Sequence, residues 1–396
     1  MKILAFLASA LFCCAATSAP YTPTDDGKVL ERLPLKRNDP VAKELQALRR
    51  AHLAAPADAA AAVALARKYF DLASAEGDPR YIGYAEAALR RWPDNSAPTG
   101  VILMRALLRQ YRHDFAPALA ELAVVLEREP DNTEAIGWRS ALYLVQADYA
   151  RAREECARLE PVATRLTLVG CTSTIDSVNG RSKAAYELLS GTLGREPTKN
   201  AEFRVWLLTR LAEMAQRMGD AKLAEKHFLE AIAETKKMGV PDGFVLAAYA
   251  DLLLDLGRND EVIALLRDWT RSDILLVRLA LAEANAGTPQ ARQRAQELAD
   301  RFRASALRGD RLHLQEESRF TLAIGRDPKR ALAVALDNWK TQREPRDARV
   351  LMEAALAAGE PRAAQGALDW MRATRYEDPR YRELAARLER TTGEAK

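Results

Sequence analysis

Histidine, cysteine and glycine are scarce in this chain, and their scarcity narrows its chemistry. The four histidines, His52, His113, His227 and His313, stand far apart. None forms the two-histidine pair one helical turn apart that holds zinc or iron, so no metal is expected. The 19 glycines are scattered singly. Gly191-Thr192-Leu193-Gly194 is too short to cradle a phosphate and has no strand before it, so no nucleotide cofactor is expected. Ser173 lacks the strand-to-helix turn of a nucleophile elbow. The adjacent carboxylates Glu154-Glu155 and Glu316-Glu317 point apart on a helix and read as solvated surface. Excess charge is missing too. With 59 basic against 55 acidic side chains the net charge is +4, with no basic stripe to argue for nucleic acid.

What is present is helix-forming. Ala, Leu, Arg and Glu abound, aromatics make up 7 % of the chain, and runs of Val, Ile, Thr and Tyr are hard to find. At 396 residues the chain is too long for one ordinary core, which leaves several domains or a repeat array.

The N-terminus stands apart. Lys2 precedes an apolar run from Ile3 to Ala16, broken only by Ser9, and small residues follow. Residues 1–19 therefore read as a secretory signal peptide. Cleavage is expected after Ala16 or Ser18, because Pro20 stands beside the bond after Ala19. The run is shorter than the ~20 apolar residues of a membrane-spanning helix, so no transmembrane segment is expected once it is removed. The expected location is periplasmic or secreted. Leu11-Phe12-Cys13-Cys14 offers lipoprotein anchoring as the lesser alternative, since Phe12 and Cys13 stand where small residues are usual. Residues 20–40, with Pro20, Pro23, Pro34 and Pro40, read as an extended leader.

Helical periodicity begins after Val41, and within it the chain repeats itself. Asp114-Phe115-Ala116-Pro117-Ala118 recurs 34 positions later as Asp148-Tyr149-Ala150-Arg151-Ala152. The ladder Ala106, Ala118, Leu122, Val125, Pro130 recurs with the same spacings as Ser173, Ala185, Leu189, Thr192, Pro197. Ala212, Ala224, Phe228 and Ala231 repeat it without the proline, and Ala250, Gly257, Val262 and Leu266 continue it more loosely. Small residues are needed where two helices cross closely. Gly180, Gly219, Gly257, Gly287 and Gly359 fall between helical stretches, as do Pro93-Asp94-Asn95 and Pro130-Asp131-Asn132. A period of 34 residues and these ladders resemble the tetratricopeptide repeat family. As a whole the chain resembles exported tetratricopeptide proteins of Gram-negative bacteria.

The resemblance is clear over residues 100–270. It continues in degenerate form over 41–99 and over 271–390, where Tyr376 to Arg390 would serve as a polar C-terminal cap. The fold it implies is all-α: a right-handed superhelical solenoid of antiparallel helix pairs, seven to nine of them. Cys156 and Cys171, 15 positions apart, then fall on the second helix of one pair and the first helix of the next. In an oxidising compartment they form either a disulfide or two buried thiols.

The resemblance also implies that the first helix of each pair lines a concave groove that holds an extended peptide or helix. Carrying the phasing through gives Leu107, Gln110 and Tyr111, then Trp206, Thr209, Glu213 and Arg217, then Asp251 and Asp255, as groove-facing candidates. Arg105, Arg109 and Arg112 read as a solvated cluster. With helix pairs filling the chain there is no room for a catalytic domain, so an enzyme is not expected. The expected function is a scaffold or adaptor that binds a protein or peptide. The alternative is a glycan- or peptidoglycan-binding accessory protein of an envelope enzyme, for which Trp206 and Phe244 offer aromatic surface.

Overall fold

A computed structural model describes residues 39–394, together with Asp25 and Lys28. Residues 1–19, expected to be a signal peptide, with Cys13 and Cys14, and nearly all of the expected leader at 20–40 lie outside the described residues. Among the described residues, 47–394 form one compact unit, and residues 39–46 fall outside it. Every element among the described residues is helical, and none is long and apolar enough to cross a membrane.

After α1 (Pro40–Ala54) the helices come in antiparallel pairs. The first two are α2 (Ala59–Glu76) with α3 (Arg80–Leu89), and α4 (Thr99–Tyr111) with α5 (Phe115–Arg128). Next come α6 (Thr133–Val145) with α7 (Tyr149–Ala157), α8 (Arg165–Val178) with α9 (Ser182–Arg195), and α10 (Ala201–Arg217) with α11 (Ala221–Met238). They continue through α12 (Gly243–Asp255) with α13 (Asn259–Leu266), α14 (Asp273–Ala286) with α15 (Ala291–Arg308), and α16 (Leu314–Ala323) with α17 (Pro328–Trp339). The ninth pair is α18 (Pro345–Ala357) with a short 3₁₀ turn running into α19 (Gln365–Thr374), and α20 (Pro379–Glu394) closes the chain. The pairs thus continue well outside residues 100–270, because helix crossing needs only small residues and not the whole repeat signature.

The ladder residues show why the pairs form. Ala106, Ala118, Leu122 and Val125 are fully buried, as are Ala212, Ala224, Phe228 and Ala231. They are the positions where first and second helices cross, and a larger side chain there would force the axes apart. Side-chain caps begin many helices, with Asn132, Asp148, Thr164, Asn200 and Asp220 each accepting a backbone N–H of the first turn. The turn inside a pair requires one residue in the left-handed region. Gly180, Gly219, Gly257 and Gly359 supply it in four turns, His113 (φ 60°) and Ala147 (φ 61°) in two others.

One apolar core runs from Leu166 to Phe320, and a second gathers residues 331–388. Cys156 on α7 and Cys171 on α8 are joined by a disulfide that staples one pair to the next. The hydroxyl of Ser140 on α6 donates to Ala152 O at 3.0 Å and lies 3.3 and 3.4 Å from the two sulfurs.

The superhelix is wound so tightly that its second turn lies on its first. Gln342, after α17, hydrogen-bonds His113 in the α4–α5 turn at 3.1 Å. Arg343 N–H donates to Val145 O at the end of α6 at 2.7 Å. Trp370 Nε1 on α19 donates to the Tyr149 hydroxyl on α7 at 2.7 Å, and Ser182 N–H on α9 donates to Glu377 at 2.8 Å. Each contact joins a pair to the one about six pairs further on.

Candidate functional site

The inner, first helices point charged side chains at a common lumen. Arg210, Glu213 and Arg217 come from α10, Asp251 and Asp255 from α12, and Arg278 from α14. Arg319 on α16, Arg346 and Arg349 on α18, and Tyr376 and Arg380 near α20 complete it from the second turn. The open space is a cavity of about 140 Å³. That is room for a small group, and a second open space of about 260 Å³ adjoins it past Asp255, Arg349, Arg380 and Tyr381.

Two carboxylates on α12 organise these charges. Asp251 accepts from Arg278 Nη2 and from Arg319 Nη1, each at 2.7 Å. One helical turn on, Asp255 takes Arg349 at 2.8 Å and also Arg380. Positions four apart on a helix share a face, so α12 gathers guanidiniums from four later inner elements. Burial alone would raise the Asp251 carboxyl. The Arg278 and Arg319 charges outweigh it and hold the group well below the usual carboxylate range. Arg278 is fully buried and also donates to Ile274 O at 2.7 Å and Ala247 O at 3.2 Å. Arg217 donates to Ser177 Oγ at 2.8 Å and approaches the Tyr376 hydroxyl at 3.4 Å.

At the edge of the lumen lies an aromatic–guanidinium cluster. Trp206, 37 % exposed, stacks on Phe203 with ring centroids 5.8 Å apart. The Arg210 guanidinium sits 5.9 Å from the Trp206 ring and 5.0 Å from Phe244, and Arg346 sits 5.3 Å from Phe244.

The structure separates the nine groove candidates. Glu213, Arg217, Asp251 and Asp255 line the lumen, already paired within the chain. Leu107 is fully buried, and buried Thr209 bonds back to Val205 O at 2.8 Å, so both seal helix packing and present nothing to the groove. Tyr111 packs edge-on against Phe70 of α2 at 6.2 Å, and Gln110 is half-buried away from the lumen. Trp206 lies outside the lumen in the exposed cluster.

Three surface readings need correction. Glu316 is buried against Arg278 at 3.5 Å, and Glu155 is buried between Arg139 and Arg158. In each adjacent pair of carboxylates, helix geometry sends one inward, where a guanidinium from a neighbouring helix or turn neutralises it. Arg105 is likewise not solvated; it grips Glu121 at 2.5 Å and the carbonyls of Trp92 and Asp94.

Reasoning from sequence missed Arg278, Arg319, Arg346, Arg349 and Arg380. Only Arg278 left a signal, a charge inside the apolar run Ile274 to Ala282, which must find a partner once buried. Of the histidines, His227 Nε2 hydrogen-bonds the Tyr186 hydroxyl at 2.9 Å. Burial, then the nearby His313 and Arg346, push His113 down to about 4. Among the described residues no group of three His, Cys, Asp or Glu side chains is placed to hold a metal.

No protein-family model matches the sequence, and no curated protein matches it significantly. Solved structures do. A chain of the APC/C hetero-tetramer Cut9–Hcn1 superposes with TM-score 0.52 at 13 % identity, over 88 % of this chain and 66 % of that one. The P58(IPK) TPR domain aligns at 15 % identity over 90 % and 99 % of the two chains with TM-score 0.23, and yeast Tom70 at 12 % over 89 % and 92 % with TM-score 0.33. This chain therefore spans just under two thirds of the Cut9–Hcn1 chain it matches. The likeness to that chain agrees with the helix pairs described above: the fold is an all-α, tetratricopeptide-like helical solenoid.

Proposed function

We propose that this chain is an exported scaffold, periplasmic or secreted, that holds a partner protein or peptide against its inner helices and carries out no catalysis itself. The observation that carries the reading is the exposed Trp206 and Phe244 with Arg210 and Arg346, set at the edge of the lumen on which the inner helices from α6 to α20 converge. The charged groups inside the lumen are paired with one another and hold the inner helices in place, so this aromatic–guanidinium surface is the one a partner can reach. The Cut9–Hcn1 assembly, in which a chain of similar fold occurs in a hetero-tetramer, supports the same reading. Residues 1–19 and the Cys156–Cys171 bridge support export to an oxidising compartment.

The test is affinity capture from periplasmic extract with the wild-type chain and with a Trp206→Ala, Phe244→Ala double variant, whose two side chains are exposed, read by mass spectrometry. A partner recovered by the wild type and lost by the variant supports the reading; identical recovery removes it.

One observation favours the glycan reading as a second. Trp206 and Phe244 form an exposed aromatic surface, backed by half-buried Phe203 and flanked by Arg210 and Arg346. Sugar rings stack on such faces, and their hydroxyls pair with charged groups of either sign. Saturable quenching of Trp206 fluorescence by cell-wall oligosaccharides would favour this reading over the first.

A further inference from the structure

The loop between α17 and α18 meets the α4–α5 turn through one buried side chain. Thr341 and Arg343 in the loop are exposed, while Gln342 between them is tucked against the other turn. Its amide nitrogen stands 3.1 Å from His113 Nε2. An amide nitrogen only donates, so Nε2 accepts, and the imidazole is neutral with its proton on Nδ1. The ring is fixed by its backbone, at φ 60°, and by Phe115, 5.5 Å away between centroids. Beside this contact the Arg343 N–H donates to Val145 O at 2.7 Å.

The charged groups around the contact leave no free carboxylate to welcome a second proton. From α16 come His313, whose Nε2 is buried without a partner, and Glu316, which Arg278 neutralises at 3.5 Å. From the start of α18 come Glu344 and Arg346, paired at 2.7 Å. Within the loop, Arg343 Nε donates to Trp339 O. On the turn itself, Asp114 is paired with Arg109 at 3.1 Å, and Arg112 with Glu86 at 2.6 Å.

We infer that the α17–α18 loop is a latch on the α4–α5 turn, held by neutral His113 and released when His113 is protonated, so that acid opens this end of the seam between the two superhelical turns. A proton on Nε2 turns the acceptor into a donor that faces a donor, and the bond is lost. Burial, then His313 and Arg346, hold His113 down at about 4 while the latch is closed. In the open loop the ring returns towards its ordinary 6.5, so the closed state is fully favoured above that pH and loses ground as pH falls towards 4. Four residues past Gln342, Arg346 stands 5.3 Å from Phe244, so the latch adjoins the exposed aromatic surface. It does not depend on which partner that surface takes.

The Arg343 amide reports the latch directly. Its hydrogen exchange in the full chain, corrected for the intrinsic pH dependence, is compared at pH 7 and pH 5. Protection in the wild type is expected to fall at least about 10-fold at pH 5, while α10 and α12 stay protected. His113→Asn tolerates φ 60° and does not titrate, so it should show no such fall. Gln342→Glu sets an acceptor opposite the imidazolium and should keep the loop protected at pH 5. A smaller fall in the wild type overturns the inference. So does a fall shared by α10 and α12, an equal fall in His113→Asn, or a folded Gln342→Glu chain that loses protection as the wild type does.

Discussion

Arg278 is the residue on which local energetics turn most sharply. Its guanidinium is fully buried, and Asp251 is its nearest carboxylate. Removing one member of a buried pair leaves the other charge uncompensated, which costs about 3–5 kcal/mol. Asp251→Ala leaves Arg278 with Glu316 at 3.5 Å and two carbonyls, so it is expected to destabilise by less than that, about 2–3 kcal/mol in urea unfolding at pH 7. A loss under about 1 kcal/mol would contradict the pairing described here. His113 makes the complementary case. Its folded-state value of about 4 lies below the ordinary 6.5, so between those values the unfolded chain binds more protons. Stability is then fully present above pH 6.5 and falls as the solution is acidified towards pH 4, by about 2–3 kcal/mol from this group. His113→Asn keeps a residue that tolerates φ 60° and removes the titration. Its stability should fall less than that of wild type between pH 7 and pH 4.5; parallel curves would rule out this role for His113.

At the scale of elements, the staple between α7 and α8 closes a loop of 15 residues. Loop entropy for that length corresponds to about 3 kcal/mol. Because the bridge ties the second helix of one pair to the first helix of the next, its loss weakens the seam between units more than either helix. Cys156→Ala with Cys171→Ala should lower the unfolding free energy by about 2–4 kcal/mol. Exchange protection is expected to drop first in α7 and α8, and a uniform drop along the chain would argue against a local staple. Much of this scale was legible in the sequence. Ala118, Ala152, Leu189 and Ala224 mark helix crossings by size alone, and Gly180 and Gly219 mark turns. Each depends on neighbours within one or two pairs, so a 34-residue period preserves it.

For the whole molecule, the decisive feature is the winding. An open array couples each unit only to its neighbours, whereas here the α4–α5 turn touches the segment after α17 and α7 touches α19. Asp251 and Asp255 draw in α14, α16, α18 and α20 from one face of α12. Replacing both by Asn should let the second turn relax away from the first. Small-angle scattering should then show a larger radius of gyration with unchanged helix content by circular dichroism. An unchanged radius would show that apolar packing alone sets the winding.

The sequence by itself determined the helices, their pairing, their crossing points and the absence of the usual catalytic signatures, because all of these follow from local periodicity and side-chain size. The resemblance to the repeat family, carried along the chain, named Leu107, Gln110, Tyr111, Trp206 and Thr209 as groove-facing together with Glu213, Arg217, Asp251 and Asp255, and of these the structure brings only the last four to the lumen. Only the tertiary structure decided that those four would be met by the chain's own arginines and tyrosine, and that the groove would close on a small lumen. Arg349, Tyr376 and Arg380 lie 94 to 159 residues from the groups they bind. No repeat period relates positions so far apart; the superhelical pitch does, and that pitch is the sum of small rotations at every helix crossing.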